Sequence, residues 1–138
     1  MVDSFRCITP IQINPYLISH ESMILMLGSC FSENISDYLK VYLFKVFCNP
    51  TGILYNPFSI SSAFDRIISG EPYDETQLFF HNGLWNSFDH HSRFSHETIE
   101  QTLTAINSNL EKAHSLLPKL SHLILTPGTS FIFYHKIY

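Results

Sequence analysis

Met23-Ile24-Leu25-Met26-Leu27-Gly28-Ser29-Cys30-Phe31-Ser32-Glu33-Asn34-Ile35 joins an unbroken apolar run to a helical pattern, with only a Gly-Ser pair between them. The run Met23 to Leu27 suits a strand covered by helices on both faces, as in a parallel sheet. Beyond the pair, Phe31, Ile35, Leu39 and Tyr42 recur at spacings of four, four and three, which predicts a helix with these residues on one side. Ser29 therefore stands where a buried strand turns into a helix. In open α/β sheets such a corner lies on the carboxyl rim, where ligands bind, and the leading N–H groups of the helix face any negative charge formed there. Two readings of Ser29 follow: a nucleophile with part of an oxyanion hole, or an ordinary helix N-cap.

Working downstream, Phe44-Lys45-Val46-Phe47-Cys48 predicts a second strand, closed by the turn Asn49-Pro50-Thr51-Gly52. A helical crossover requires the two strands to be parallel, which puts that turn on the same rim as Ser29. Asn56-Pro57 opens a helix whose inward face is Ile60, Ala63, Phe64, Ile67 and Ile68, and Gly70 with Pro72 ends it. Asn82-Gly83 between two aromatic-rich runs predicts a hairpin over Leu78 to Phe88, an excursion beside the main sheet. Ser95 is the expected cap of a long helix, with Glu97 in its first turn and a stripe of Ile99, Leu103, Ile106, Leu110, Ala113 and Leu117 as far as Pro118. Leu120 to Thr126 is the third strand and ends at Pro127-Gly128-Thr129-Ser130-Phe131, again on the rim. Upstream, Ile11, Ile13 and Leu17 allow one short edge strand, while Pro10 and Pro15 exclude a helix.

The segment after the hairpin, Asp89-His90-His91-Ser92-Arg93-Phe94-Ser95, concentrates polar chemistry. Two histidines beside an aspartate can bind a metal, act as a general base, or cap a polar loop. Neighbouring residues on a strand point to opposite faces, so His90 and His91 ligate one ion only if the backbone turns between them. No metal and no other cofactor is expected. The 138 residues carry 45% hydrophobic and 14% aromatic side chains, enough for one domain with a real core, and a formal charge of −4. Without a run of Lys or Arg to neutralise phosphates, nucleic-acid binding is not expected. Apolar runs fall short of a membrane span and no secretory leader is visible, so no membrane partner is expected. Cys7, Cys30 and Cys48 are scattered, which fits a reducing cytoplasm.

The tetrad Gly28-Ser29-Cys30-Phe31, followed by Ser32-Glu33-Asn34, closely resembles the signature of the GSCFA family, grouped with the SGNH (GDSL-like) hydrolases. Asn49-Pro50-Thr51-Gly52-Ile53-Leu54-Tyr55-Asn56-Pro57 resembles the family's next segment, Gly83 to Ser95 a second signature in which a Trp precedes Ser-Phe-Asp-His-His, and Gly128-Thr129 a Gly-Thr pair. The resemblance implies an α/β fold, a mainly parallel sheet flanked by helices in an SGNH or flavodoxin-like three-layer arrangement. It implies Ser29 as nucleophile and the N–H groups of Ser29 and Gly52 as oxyanion donors, with Gly128, Thr129, His90 and His91 as further catalytic candidates. Trp85, Asp89 and Asn56 are the implied substrate contacts. Ser130 stands where the general SGNH pattern has an asparagine.

An SGNH enzyme takes its general base from an Asp-x-x-His pair near the carboxyl end of the fold, and this sequence holds no Asp-x-x-His. A serine hydroxyl without a positioned base is nearly inert. The expectation is therefore an SGNH-type serine hydrolase for a small-molecule ester, such as an acylated carbohydrate, in a chain cut short of the family's C-terminal part. Substitution of His90 or His91 as base is the other way to supply the missing group. The alternative expectation is a non-catalytic carbohydrate- or partner-binding remnant that uses the Trp85 to His91 loop. A metal-dependent hydrolase centred on Asp89, His90 and His91 is the third. Oligomeric state is not legible.

Overall fold

The computed structural model describes residues 15–132. The chain builds β1 (Met23–Gly28), α1 (Cys30–Val41), β2 (Lys45–Cys48), α2 (Pro57–Ser69), β3 (Phe79–His81), β4 (Leu84–Asn86), α3 (Ile99–Leu116) and β5 (His122–Thr126). β1, β2 and β5 form a parallel sheet in the order β2-β1-β5, and β3 pairs with β4 in a separate antiparallel hairpin. The edge strand expected around Ile11 and Ile13, Cys7, and the aromatic residues after Ile132 lie outside the described residues.

β1 earns its central place by composition. Ile24, Leu25, Met26 and Leu27 are all no more than 1% exposed. Leu25 and Leu27 enter a core with Ile60 and Ile67 of α2 and Ile106, Leu110 and Ala113 of α3. Alternation sends Ile24 and Met26 to the opposite face, which α1 covers. Each such side chain contributes about 1.5–3 kcal/mol by leaving water. The outcome is a three-layer α/β arrangement of flavodoxin-like type, α1 on one face and α2 with α3 on the other.

α2 forms as its punctuation predicts. Asn56 Oδ1 accepts the Ser59 N–H at 2.8 Å, its Nδ2 donates to Ser59 Oγ at 2.9 Å, and Gly70 ends the helix at φ +66°. The hairpin also matches, with Asn82 and Gly83 both at positive φ. α1, in contrast, is rotated from the expected face. Ser32 and Ser36 are fully buried, whereas Phe31 is 58% and Tyr42 53% exposed. A serine every fourth residue lets the helix settle close on the sheet, so that Ser32 Oγ reaches Thr126 Oγ1 at 2.6 Å.

α3 differs at its start. Thr98, not Ser95, caps it, accepting the Gln101 N–H at 3.2 Å. The reason is a competing pairing: Trp85 N–H donates to the His96 carbonyl at 2.8 Å and Ser95 Oγ donates to Asn86 Oδ1 at 2.7 Å, which holds this stretch extended against the hairpin. The buried stripe also includes Thr102, whose hydroxyl accepts from His96 N at 3.2 Å and donates to the Thr98 carbonyl at 3.0 Å. Chain direction then places the site. β1 leaves through α1 on one face and β5 is entered from α3 on the other, so their carboxyl ends flank a topological switch point.

Candidate active site

Ser29 caps α1 at that switch point, with Oγ accepting the Phe31 N–H at 3.4 Å. It is 8% exposed. Gly28 precedes it at φ +146°, and a Cβ there would collide with the Thr126 carbonyl, so only glycine allows β5 to lie this close. Thr126 Oγ1 consequently stands 3.4 Å from Ser29 Oγ and 3.3 Å from Ser29 N. Gly128 approaches from the loop after β5: a Cβ on it would sit 3.4 Å from Ser29 Cβ and 3.0 Å from the Tyr55 ring. The structure thus gathers Ser29, Gly128 and the loop after β2 at one corner.

The N–H groups around this corner are engaged within the protein. Ser29 N–H donates to the Thr126 carbonyl at 3.0 Å, extending the sheet ladder. Gly52 N–H donates to the Asn49 carbonyl at 2.8 Å and closes the turn. Gly128 and Thr129 N–H both donate to the Tyr55 carbonyl, at 2.8 and 3.1 Å, and Thr129 Oγ1 accepts the Phe131 N–H at 3.1 Å. The Cys30 amide, first of α1, has no acceptor inside the helix.

The Asp89 to Ser95 segment folds back onto the rim but separates its members. His91 N–H donates to the Thr51 carbonyl at 2.9 Å, and Gly52, at φ +92°, lies where a Cβ would strike His91 Cβ. His91 Nδ1 accepts the Arg93 N–H at 3.2 Å, which places the hydrogen of a neutral ring on Nε2. His90 turns the other way, edge-on to Tyr73 at 4.7 Å and Phe94 at 5.6 Å between centroids, with Nδ1 2.9 Å from Ser87 Oγ. Burial, aided by the Arg66 charge, lowers its pKa to about 4, which keeps it neutral. Tyr73 beside it is pushed up to about 12, first by burial and then by the Asp89 carboxylate. Among the described residues no group of three or more His, Cys, Asp or Glu side chains is placed to hold a metal ion.

Asp89 and Phe88 line a cavity of about 60 Å³ with Leu54, Phe58 and Ser62. Trp85 is elsewhere. Its ring lies 5.4 Å from that of Phe80 and its backbone bridges to His96, so it buttresses α3. Asn56 keeps its side chain on the α2 cap.

Three residues at the corner escaped the sequence reading. Asn49, 1% exposed, accepts the Gly28 N–H on Oδ1 at 2.8 Å and leaves Nδ2 without a partner among the described residues. Arg93 clips the returning segment down, donating to Glu33 at 2.7 Å and to the Asn49 carbonyl at 2.8 Å. Thr126 is the third, and only the register of β1 against β5 brings it to Ser29. A family model described as the GSCFA family matches residues 23–137. No curated protein and no solved structure matches the chain.

Proposed function

The chain belongs to the GSCFA family, and from that membership we propose that it is an SGNH-type serine hydrolase whose nucleophile is Ser29. The observation that carries this reading is the convergence of Ser29, Gly128 and the Asn49–Gly52 turn on one switch point. Ser29 Oγ attacks an ester carbonyl. The helix's leading amide, Cys30 N–H, faces the oxyanion in place of the engaged Ser29 and Gly52 amides. The substrate is a small-molecule ester, an acylated carbohydrate among the candidates. Ser29 Oγ meets only the Phe31 amide and the Thr126 hydroxyl among the described residues, so turnover requires a histidine from outside them. No helix of the described residues is long and apolar enough to cross a membrane. Free thiols at Cys30 and Cys48 support the cytoplasm as its compartment.

Fluorophosphonate labelling with imidazole as an external base tests the reading. An adduct on Ser29 that grows with imidazole and disappears in Ser29→Ala is expected. No adduct at any imidazole concentration, or equal labelling of Ser29→Ala, overturns it. A second reading, a binding remnant without catalysis, is favoured by the engaged amides and by the cavity under Phe58, Phe88 and Asp89. Ligand binding that survives Ser29→Ala but is lost in Asp89→Ala would select it.

A further inference from the structure

Three hydroxyls meet beneath the corner, and counting their hydrogens favours one arrangement. Thr126 Oγ1 lies 2.6 Å from Ser32 Oγ, 3.4 Å from Ser29 Oγ and 3.3 Å from Ser29 N, whose hydrogen it shares with the Thr126 carbonyl at 3.0 Å. Ser32 is fully buried, and Thr126 is its side-chain hydrogen-bond partner. If Thr126 donated to Ser32, the Ser32 hydrogen would be left buried without an acceptor, an expensive state. Ser32 therefore donates to Thr126, which leaves the Thr126 hydrogen available for Ser29 Oγ. Ser29 Oγ then accepts from both Thr126 and the Phe31 N–H, and its own hydrogen points out of the corner.

We propose that Thr126 is a positioning residue for Ser29: its hydroxyl donates to Ser29 Oγ, holds the side chain in one rotamer, and turns the Ser29 hydrogen toward an incoming base. The inference rests on the nucleophile reading for its purpose but on the hydroxyl geometry for its substance. Two donors on Oγ also favour the alkoxide that forms as the proton leaves. Gly28 belongs to the same device, because any side chain there would displace Thr126.

The test pairs an activity-free measurement with a reactive one, on Thr126→Val, which keeps the shape and removes the hydroxyl, and Thr126→Ser, which restores it. Nuclear magnetic resonance couplings between Ser29 Hα and its two Hβ report the rotamer. One fixed rotamer is expected in the wild type and in Thr126→Ser, with averaged couplings in Thr126→Val. Imidazole-assisted fluorophosphonate labelling of Ser29 should be about tenfold slower in Thr126→Val and recover in Thr126→Ser. Thr126→Ala carries the same expectations should the valine variant not fold. Unchanged couplings on loss of the hydroxyl overturn the proposal. If the wild type takes no label at all, the nucleophile reading falls while the couplings still decide the role of Thr126.

Discussion

Among individual residues, His90 shows how position overrides type. Beside Asp89 and His91 it reads as an acid–base candidate, yet it lies against Tyr73 and Phe94 with a pKa lowered to about 4, chiefly by burial. Its ordinary value is 6.5, so below that pH the unfolded chain binds a proton that the folded chain does not. Stability should therefore fall as pH drops from 6.5 toward 4 and stop falling below it, by at most about 3 kcal/mol from this group. Urea unfolding across that range checks this, with His90→Gln as the comparison. The difference between the two proteins should shrink toward acid, and parallel curves would remove the buried neutral imidazole from the account. Ser29 is the opposite case, a residue whose two sequence readings coexist. It caps α1 and stands at the switch point, because accepting the Phe31 N–H leaves its hydrogen free.

At the scale of elements, local signals and packing disagree in instructive places. Asn56-Pro57, Asn82-Gly83 and Gly70 act as their chemistry predicts, since caps and turns are satisfied by neighbours in sequence. The face of α1 was not legible, because a periodic set of large residues competes with Ser32 and Ser36, and only the sheet decides which set lies inward. Ser95 loses the α3 cap to Thr98 for a similar reason, through the pairing of Trp85 with His96. Within the Asp89 to Ser95 segment, Arg93 bridges α1 through Glu33 and the turn after β2 through Asn49. Arg93→Met keeps the stem and removes the charge. An exposed ion pair is worth little, so global stability should change by less than about 1 kcal/mol. Amide exchange at His91, bonded to the Thr51 carbonyl, should nevertheless accelerate about tenfold as the segment lifts. Unaltered exchange at His91 would show that the other contacts of the segment secure it without Arg93.

For the whole molecule, stability is concentrated in β1, which is hydrogen-bonded on both sides and sealed by helices on both faces. The β3–β4 hairpin has two strands and exposed members such as Phe80, so it should open independently. Hydrogen exchange should find the slowest amides in Ile24 to Leu27 and those of the hairpin at least about tenfold faster. Equal protection in both would mean one indivisible unit. By itself the sequence determined the order of strands and helices, the α/β class, and Ser29 at the first strand–helix corner. These depend on periodicity, caps and turns, which act over a few residues. The tertiary structure alone decided which amides remain free at the rim, that His90 and His91 part company, and that Thr126 reaches Ser29 from 97 residues away. Each of those follows from the register of β5 on β1 and the settling of α1, contacts between distant residues that no local pattern encodes.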